Sequence, residues 1–113
     1  MRVLDTAVIT QLGTDLGDRA FVDRFVGTYL RMLPGRVGRV LTALEAEDHD
    51  DLMDAVLSLR TSATTVGAVA LASLARDVEQ HVRAGDTVGA RRAVRRLSST
   101  AQQTCQALAG VAS

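Results

Sequence analysis

Residues 52–68 read Leu52-Met53-Asp54-Ala55-Val56-Leu57-Ser58-Leu59-Arg60-Thr61-Ser62-Ala63-Thr64-Thr65-Val66-Gly67-Ala68. Within this stretch Leu52, Ala55, Val56, Leu59, Ala63 and Val66 recur at steps of three and four. That is the period of a helix burying one stripe, whereas a strand would alternate every second residue. Leu57 falls outside the stripe, one residue round from Val56, so its side chain is expected to face water. Arg60, Thr61 and Thr64 follow it at i+3, i+4 and i+7 and share its outward strip. Met53, one turn earlier, extends the strip with a second apolar side chain. A single outward leucine is ordinary surface. The set Met53, Leu57, Arg60, Thr61 and Thr64 is a candidate partner-binding stripe.

Working outward, Glu45 to Asp51 form an acidic turn in which Asp48 can cap this helix, expected over about 49–66. Gly67 lies just past its last periodic residue and suits a left-handed cap. Upstream, Val22, Phe25, Val26, Tyr29, Leu33, Val37, Val40 and Leu44 mark a helix over about 19–46. Pro34-Gly35 interrupts it, but the apolar phase continues beyond, so one helix kinked near residue 34 is favoured over two. A short leading helix over about 6–15 has Asp5 as its cap and Val8, Leu12 and Leu16 as apolar contacts, and Gly17-Asp18 ends it and caps the next. Downstream, Leu71, Leu74, Val78 and Val82 mark a helix over about 69–83, which Ala84-Gly85-Asp86 ends. Asp86 then caps a last helix over about 87–109, with Ala90, Val94, Leu97, Ala101, Cys105 and Leu108 as its stripe. Four substantial amphipathic helices joined by short connections pack most simply as an all-α, up-down antiparallel four-helix bundle, here with a short N-terminal helix. Residues 1–113 are expected to form one domain.

Composition narrows the function classes. Only 3% of residues are aromatic (Phe21, Phe25 and Tyr29), so the core is built from Leu, Val and Ala, which favours close-packed helices over a sheet. The net charge is zero, which argues against nucleic acid, because neutralising phosphates needs a basic surplus. Arg91, Arg92, Arg95 and Arg96 form a local basic ridge, and such a ridge is more often a solvated face than a binding site. Cys105 stands alone, so neither an intramolecular disulfide nor a cysteine metal site can form, and the two histidines have no ligand spacing. No cofactor is expected. The N-terminus lacks a signal-peptide layout and no apolar run approaches the eighteen or so residues that span a bilayer, so a cytoplasmic chain with no membrane contact is expected.

The segment Leu57-Ser58-Leu59-Arg60-Thr61-Ser62-Ala63, followed by Val66-Gly67-Ala68, resembles the signature helix of the histidine phosphotransfer (HPt) domain. That family's pattern runs roughly H-S-L-K-G-S-A and then L-G-A. The resemblance extends to Gly17-Asp18 with Phe21-Val22 and Phe25-Val26, to Pro34, to Leu71-Ala72 and to Arg83-Ala84-Gly85-Asp86, covering residues 3 to 109. It implies a four-helix bundle, with a response-regulator receiver domain or a histidine kinase as partner. It also implies that Leu57 stands where the family carries its phosphorylated histidine. Glu47 stands where the family often has glycine, and Thr61 replaces a small glycine that allows the receiver's close approach. Arg60 matches a basic position that favours the phosphoryl group.

A phosphohistidine forms when an imidazole nitrogen lone pair attacks phosphorus, and leucine has no lone pair. Phosphotransfer at residue 57 is therefore excluded, and a pseudo-phosphotransfer docking module that is not an enzyme is the leading expectation. His49, beside Asp48, Asp50 and Asp51, and His81, near the end of its helix, are the alternative acceptors, though both read first as surface histidines. Ser58, Thr61, Ser62 and Thr64 lack an evident activating base. A third reading is a helical scaffold that self-associates through Leu57.

Overall fold

Four aspartates start four of the helices. Asp5 Oδ1 accepts the Ala7 N–H at 3.1 Å, Asp18 Oδ1 that of Phe21 at 3.2 Å, Asp48 Oδ1 that of Asp51 at 3.0 Å, and Asp86 Oδ1 that of Gly89 at 2.9 Å. Each satisfies an amide that the helix leaves without a partner. The computed structural model describes residues 2–112, except for the side chains of Leu16 and Ala112. It contains α1 (Thr6–Leu16), α2 (Arg19–Glu45), α3 (His49–Thr65), α4 (Val69–Arg83), α5 (Thr87–Val94) and α6 (Leu97–Ala112). The architecture is an all-α bundle.

α2 runs unbroken through Pro34, which sits on the solvent side with Gly35, where water can serve the carbonyl that loses its amide donor. The last helix differs from the single segment expected over 87–109. It is two, because the Arg96 amide bonds Ala93 O at 3.1 Å, three residues back, before the regular ladder resumes at Thr100. The apolar stripe stays in phase across Arg95-Arg96, but α5 packs chiefly on α4 whereas α6 packs on α2 and α4.

The core gathers the stripes named above: Val26, Leu33 and Val40 of α2, Val56 and Leu59 of α3, Leu71 and Val78 of α4, Val94 of α5, and Leu97 and Leu108 of α6. Phe25, Leu44 and Cys105 are only half-buried at its edge. α1 buries Ile9, while Val8 and Leu12 are half-covered and Leu16 lies outside the described side chains. The leading segment is pinned to the α3–α4 turn, Asp5 N–H donating to Gly67 O at 2.7 Å. Gly67 has φ +74°, and a Cβ there would stand 2.6 Å from Asp5 O, so only glycine fits. At the α2–α3 turn Glu47 takes φ +56° with a full side chain, a left-handed conformation that glycine would adopt at lower cost. Among the described residues no helix is long and apolar enough to cross a membrane.

Candidate functional site

α3 is wedged between α2 and α4, its two strongest packing partners. Little of its surface is left open, and that changes the strip read from the sequence. Thr61 and Thr64 are exposed as expected. Leu57, expected to face water, is half-buried, and Met53 is half-buried against the core edge rather than standing out on the surface. The apolar part of the stripe is therefore shallow.

Arg60, half-buried, turns from the strip toward α4. Its Nη1 bridges both carboxylate oxygens of Glu79 on α4, each at 2.9 Å. The Glu79 side chain is only 10% exposed, against 35% for Arg60, so the guanidinium closes over a buried carboxylate. Arg83 Nε adds a weaker approach to Glu79 at 3.8 Å. A cation already neutralised by a desolvated carboxylate has little charge left for an incoming anion. Sequence reading missed Glu79 because it lies on α4's buried stripe, 19 residues away, and only the packing brings it under Arg60.

Most hydroxyls around Leu57 are occupied; the exposed Thr61 hydroxyl is the exception among the described residues. Thr64 and Thr65 donate to the carbonyls of Arg60 and Thr61 four residues back, both at 2.9 Å, and Ser62 donates to Leu59 O at 3.1 Å. Ser58 accepts from Arg36 Nη1 of α2 at 2.8 Å. None has a histidine or carboxylate placed to take its proton, and without a base a hydroxyl is a weak nucleophile.

Neither histidine shares this surface. His49 opens α3 and is exposed among the acidic cap residues. His81 lies in the last turn of α4, where its Nδ1 meets Asp86 Oδ2 at 3.0 Å. The Gly89 amide and the His81 ring together hold the Asp86 carboxyl below the usual carboxylate range, the amide being the larger influence. The arginine ridge straddles the α5–α6 junction. Arg92, Arg95 and Arg96 are exposed, while Arg91 approaches Glu47 at 3.9 Å. Among the described residues no three His, Cys, Asp or Glu side chains gather to hold a metal ion.

The model of the Hpt domain family matches residues 24–110. The chain belongs to the Hpt family. Two solved structures share the fold of this HPt domain. One is histidine-containing phosphotransfer protein B (HptB) of Pseudomonas aeruginosa PAO1, at a TM-score of 0.87 and 20% identity, covering 97% of this chain and 94% of that one. The other is the HPT domain of an Hpt sensor hybrid histidine kinase from Shewanella, at 0.76 and 16%, covering 96% and 92%. No curated protein sequence matches the chain. HPt domains are phosphotransfer modules of two-component phosphorelays that work with response regulators and histidine kinases, and they are not enzymes in the strict sense. In this HPt domain, α3, which bears Leu57, lies within the family match.

Proposed function

We propose that this HPt domain is a pseudo-phosphotransfer module. It docks a receiver or kinase domain and does not carry phosphate, so it sequesters a receiver or competes with an active HPt protein for one. The observation that carries this reading is Leu57, a hydrocarbon side chain at the position that the signature resemblance gives to the phosphorylated histidine. Two further features support it. Arg60, at the position expected to favour a phosphoryl group, is committed to Glu79. The Ser62 and Thr64 hydroxyls spend their protons on backbone carbonyls, and Ser58 accepts from Arg36.

Docking on this reading uses Leu57 with exposed Thr61 and Thr64, and half-buried Met53 at one end. The contact is small and shallow, and a branched threonine stands where close approach would favour glycine. The test is calorimetric titration against receiver domains from the same genome, each with and without beryllofluoride and magnesium, with Leu57→Asp as control. Micromolar binding lost in Leu57→Asp is expected. Binding to no receiver would overturn the reading and leave the self-associating scaffold.

A second reading places the phosphoryl group on His81. It is favoured by the Asp86 carboxylate, which orients the ring through Nδ1. It requires an acid-labile, base-stable phosphoryl group that vanishes in His81→Gln; His49→Gln is the parallel control.

A further inference from the structure

On the face where α2 meets α3, beside the Leu57 strip, runs an open trough of about 530 Å³. Its walls are Phe21, Phe25 and Met32 of α2 and Val66 beyond α3, with Ser62 and Thr65 along the α3 side. Phe21 and Met32 are 41% and 46% exposed, unusually open for such side chains, and the Phe21 and Phe25 rings stack at 6.5 Å between centroids. The volume lies within the roughly 300–1,000 Å³ typical of small-molecule sites.

Arg24 and Arg36 also line the trough, and no acidic residue does. Arg36 is the informative one. Three arginines are half-buried among the described residues: Arg36, Arg60 and Arg91. Arg60 has Glu79 and Arg91 has Glu47, but Arg36 has no carboxylate. Its Nη1 donates to the Ser58 hydroxyl, its Nη2 meets only the Met32 sulfur at 4.0 Å, and its Nε is shut off from water with no acceptor. A cation partly withdrawn from water without a counter-ion is costly, and a guanidinium fork is shaped for a carboxylate. The same wall holds Tyr29, 7% exposed, whose hydroxyl also lacks a partner. Burial pushes that phenol up to about 12, so it stays protonated at neutral pH.

We propose that the trough binds a small amphipathic carboxylate, its apolar body lying on Phe21, Phe25 and Met32 and its acid group on the Arg36 guanidinium. Charge selects the ligand class, because the trough offers cations and no anion. The arriving carboxylate takes the Nη2 donor that a thioether now contacts, and the flexible Met32 side chain moves along the ligand's apolar body. None of Met53, Leu57, Arg60, Thr61 and Thr64 lines the trough, which adjoins the docking strip through Ser58, the neighbour of Leu57 that Arg36 holds.

The experiment is titration of the intact protein with octanoate, octanol and octylammonium, followed by calorimetry and by amide chemical shifts. Octanoate should bind, with shifts concentrated in residues 21–36 and 62–66, and octylammonium should not. Arg36→Gln should weaken octanoate by about tenfold or more, the loss of one charge-assisted contact. Met32→Glu keeps the fold testable from the other side. It places a carboxylate one turn before Arg36 on the same helix, supplies the missing counter-ion internally and should abolish octanoate binding without lowering the melting temperature. Equal binding of octanoate and octylammonium, or none of octanoate at millimolar concentration, would overturn the proposal. So would a receiver domain whose binding depends on Arg36 while octanoate does not bind, which would make the trough the seat of a protein carboxylate.

Discussion

Replacing Arg60 with methionine removes the closer of the two arginines paired with the buried Glu79 carboxylate. The substitution keeps most of the apolar stem but removes the guanidinium that contacts both oxygens of Glu79 at 2.9 Å. Glu79 is then left as a carboxylate whose side chain is 10% exposed, with only Arg83 Nε at 3.8 Å nearby. Orphaning one member of a fully buried pair costs about 3–5 kcal/mol. Arg60 itself is 35% exposed, so solvent screens the pair and water can reach the edge of the vacated space. Roughly halving the figure gives about 1.5–2.5 kcal/mol. For a chain of this size that lowers the melting temperature by about 5–15 °C. The assay is urea and thermal denaturation followed by circular dichroism on Arg60→Met, Glu79→Leu and the double variant. The double variant should recover most of the loss, because the unpaired charge is gone and an apolar side chain fills its place. An Arg60→Met cost within about 0.5 kcal/mol, the level of an ordinary surface substitution, would refute the reasoning. Arg60 would then be available to an incoming anion, and one support of the non-phosphorylating reading would fall.

Three other outcomes follow from the turns and caps. Glu47→Gly relieves a left-handed glutamate at φ +56° and should stabilise the fold by roughly 0.5–1 kcal/mol, read as a higher urea midpoint. Gly67→Ala meets both a positive φ and the Asp5 carbonyl at 2.6 Å, and should cost about 2–4 kcal/mol and loosen α1 in hydrogen exchange. The Asp86 carboxyl titrates below its ordinary 3.8 because of the Gly89 amide and then His81. Its contribution is therefore present above the unfolded-state value and disappears as pH falls through the lower folded-state value. From pH 5 to pH 2 the urea midpoint should drop more in the parent than in Asp86→Asn, and parallel curves would contradict the assignment.

The parts of this fold that were readable in advance are those decided locally. The α3 stripe at Leu52, Ala55, Val56, Leu59, Ala63 and Val66 is buried throughout, because helical period alone determines which side chains share a face. The aspartate caps were readable because a capping side chain reaches only two or three residues along the chain. Features that depend on how helices meet were hidden. Leu57 and Met53 are more covered than their angular position implies, because α3 has a neighbour on each side. The partner of Arg60 could not be seen, because Glu79 is 19 residues distant and sits on a stripe otherwise apolar. The α5–α6 junction left no mark either, since neither Gly nor Pro falls at Arg95-Arg96 and the apolar phase continues across it. The Phe21–Met32 trough was likewise invisible, as it exists only once α2 lies against α3.

The central claim, docking without phosphate, is tested most directly by phosphoryl transfer from a radiolabelled phospho-receiver that binds in the titration above. The parent protein and Leu57→His are compared side by side, with the label followed through acid and base treatment. The parent should bind the receiver and acquire no label, while Leu57→His should acquire an acid-labile one. Acid-labile label on the parent, lost in His81→Gln or His49→Gln, would contradict the claim.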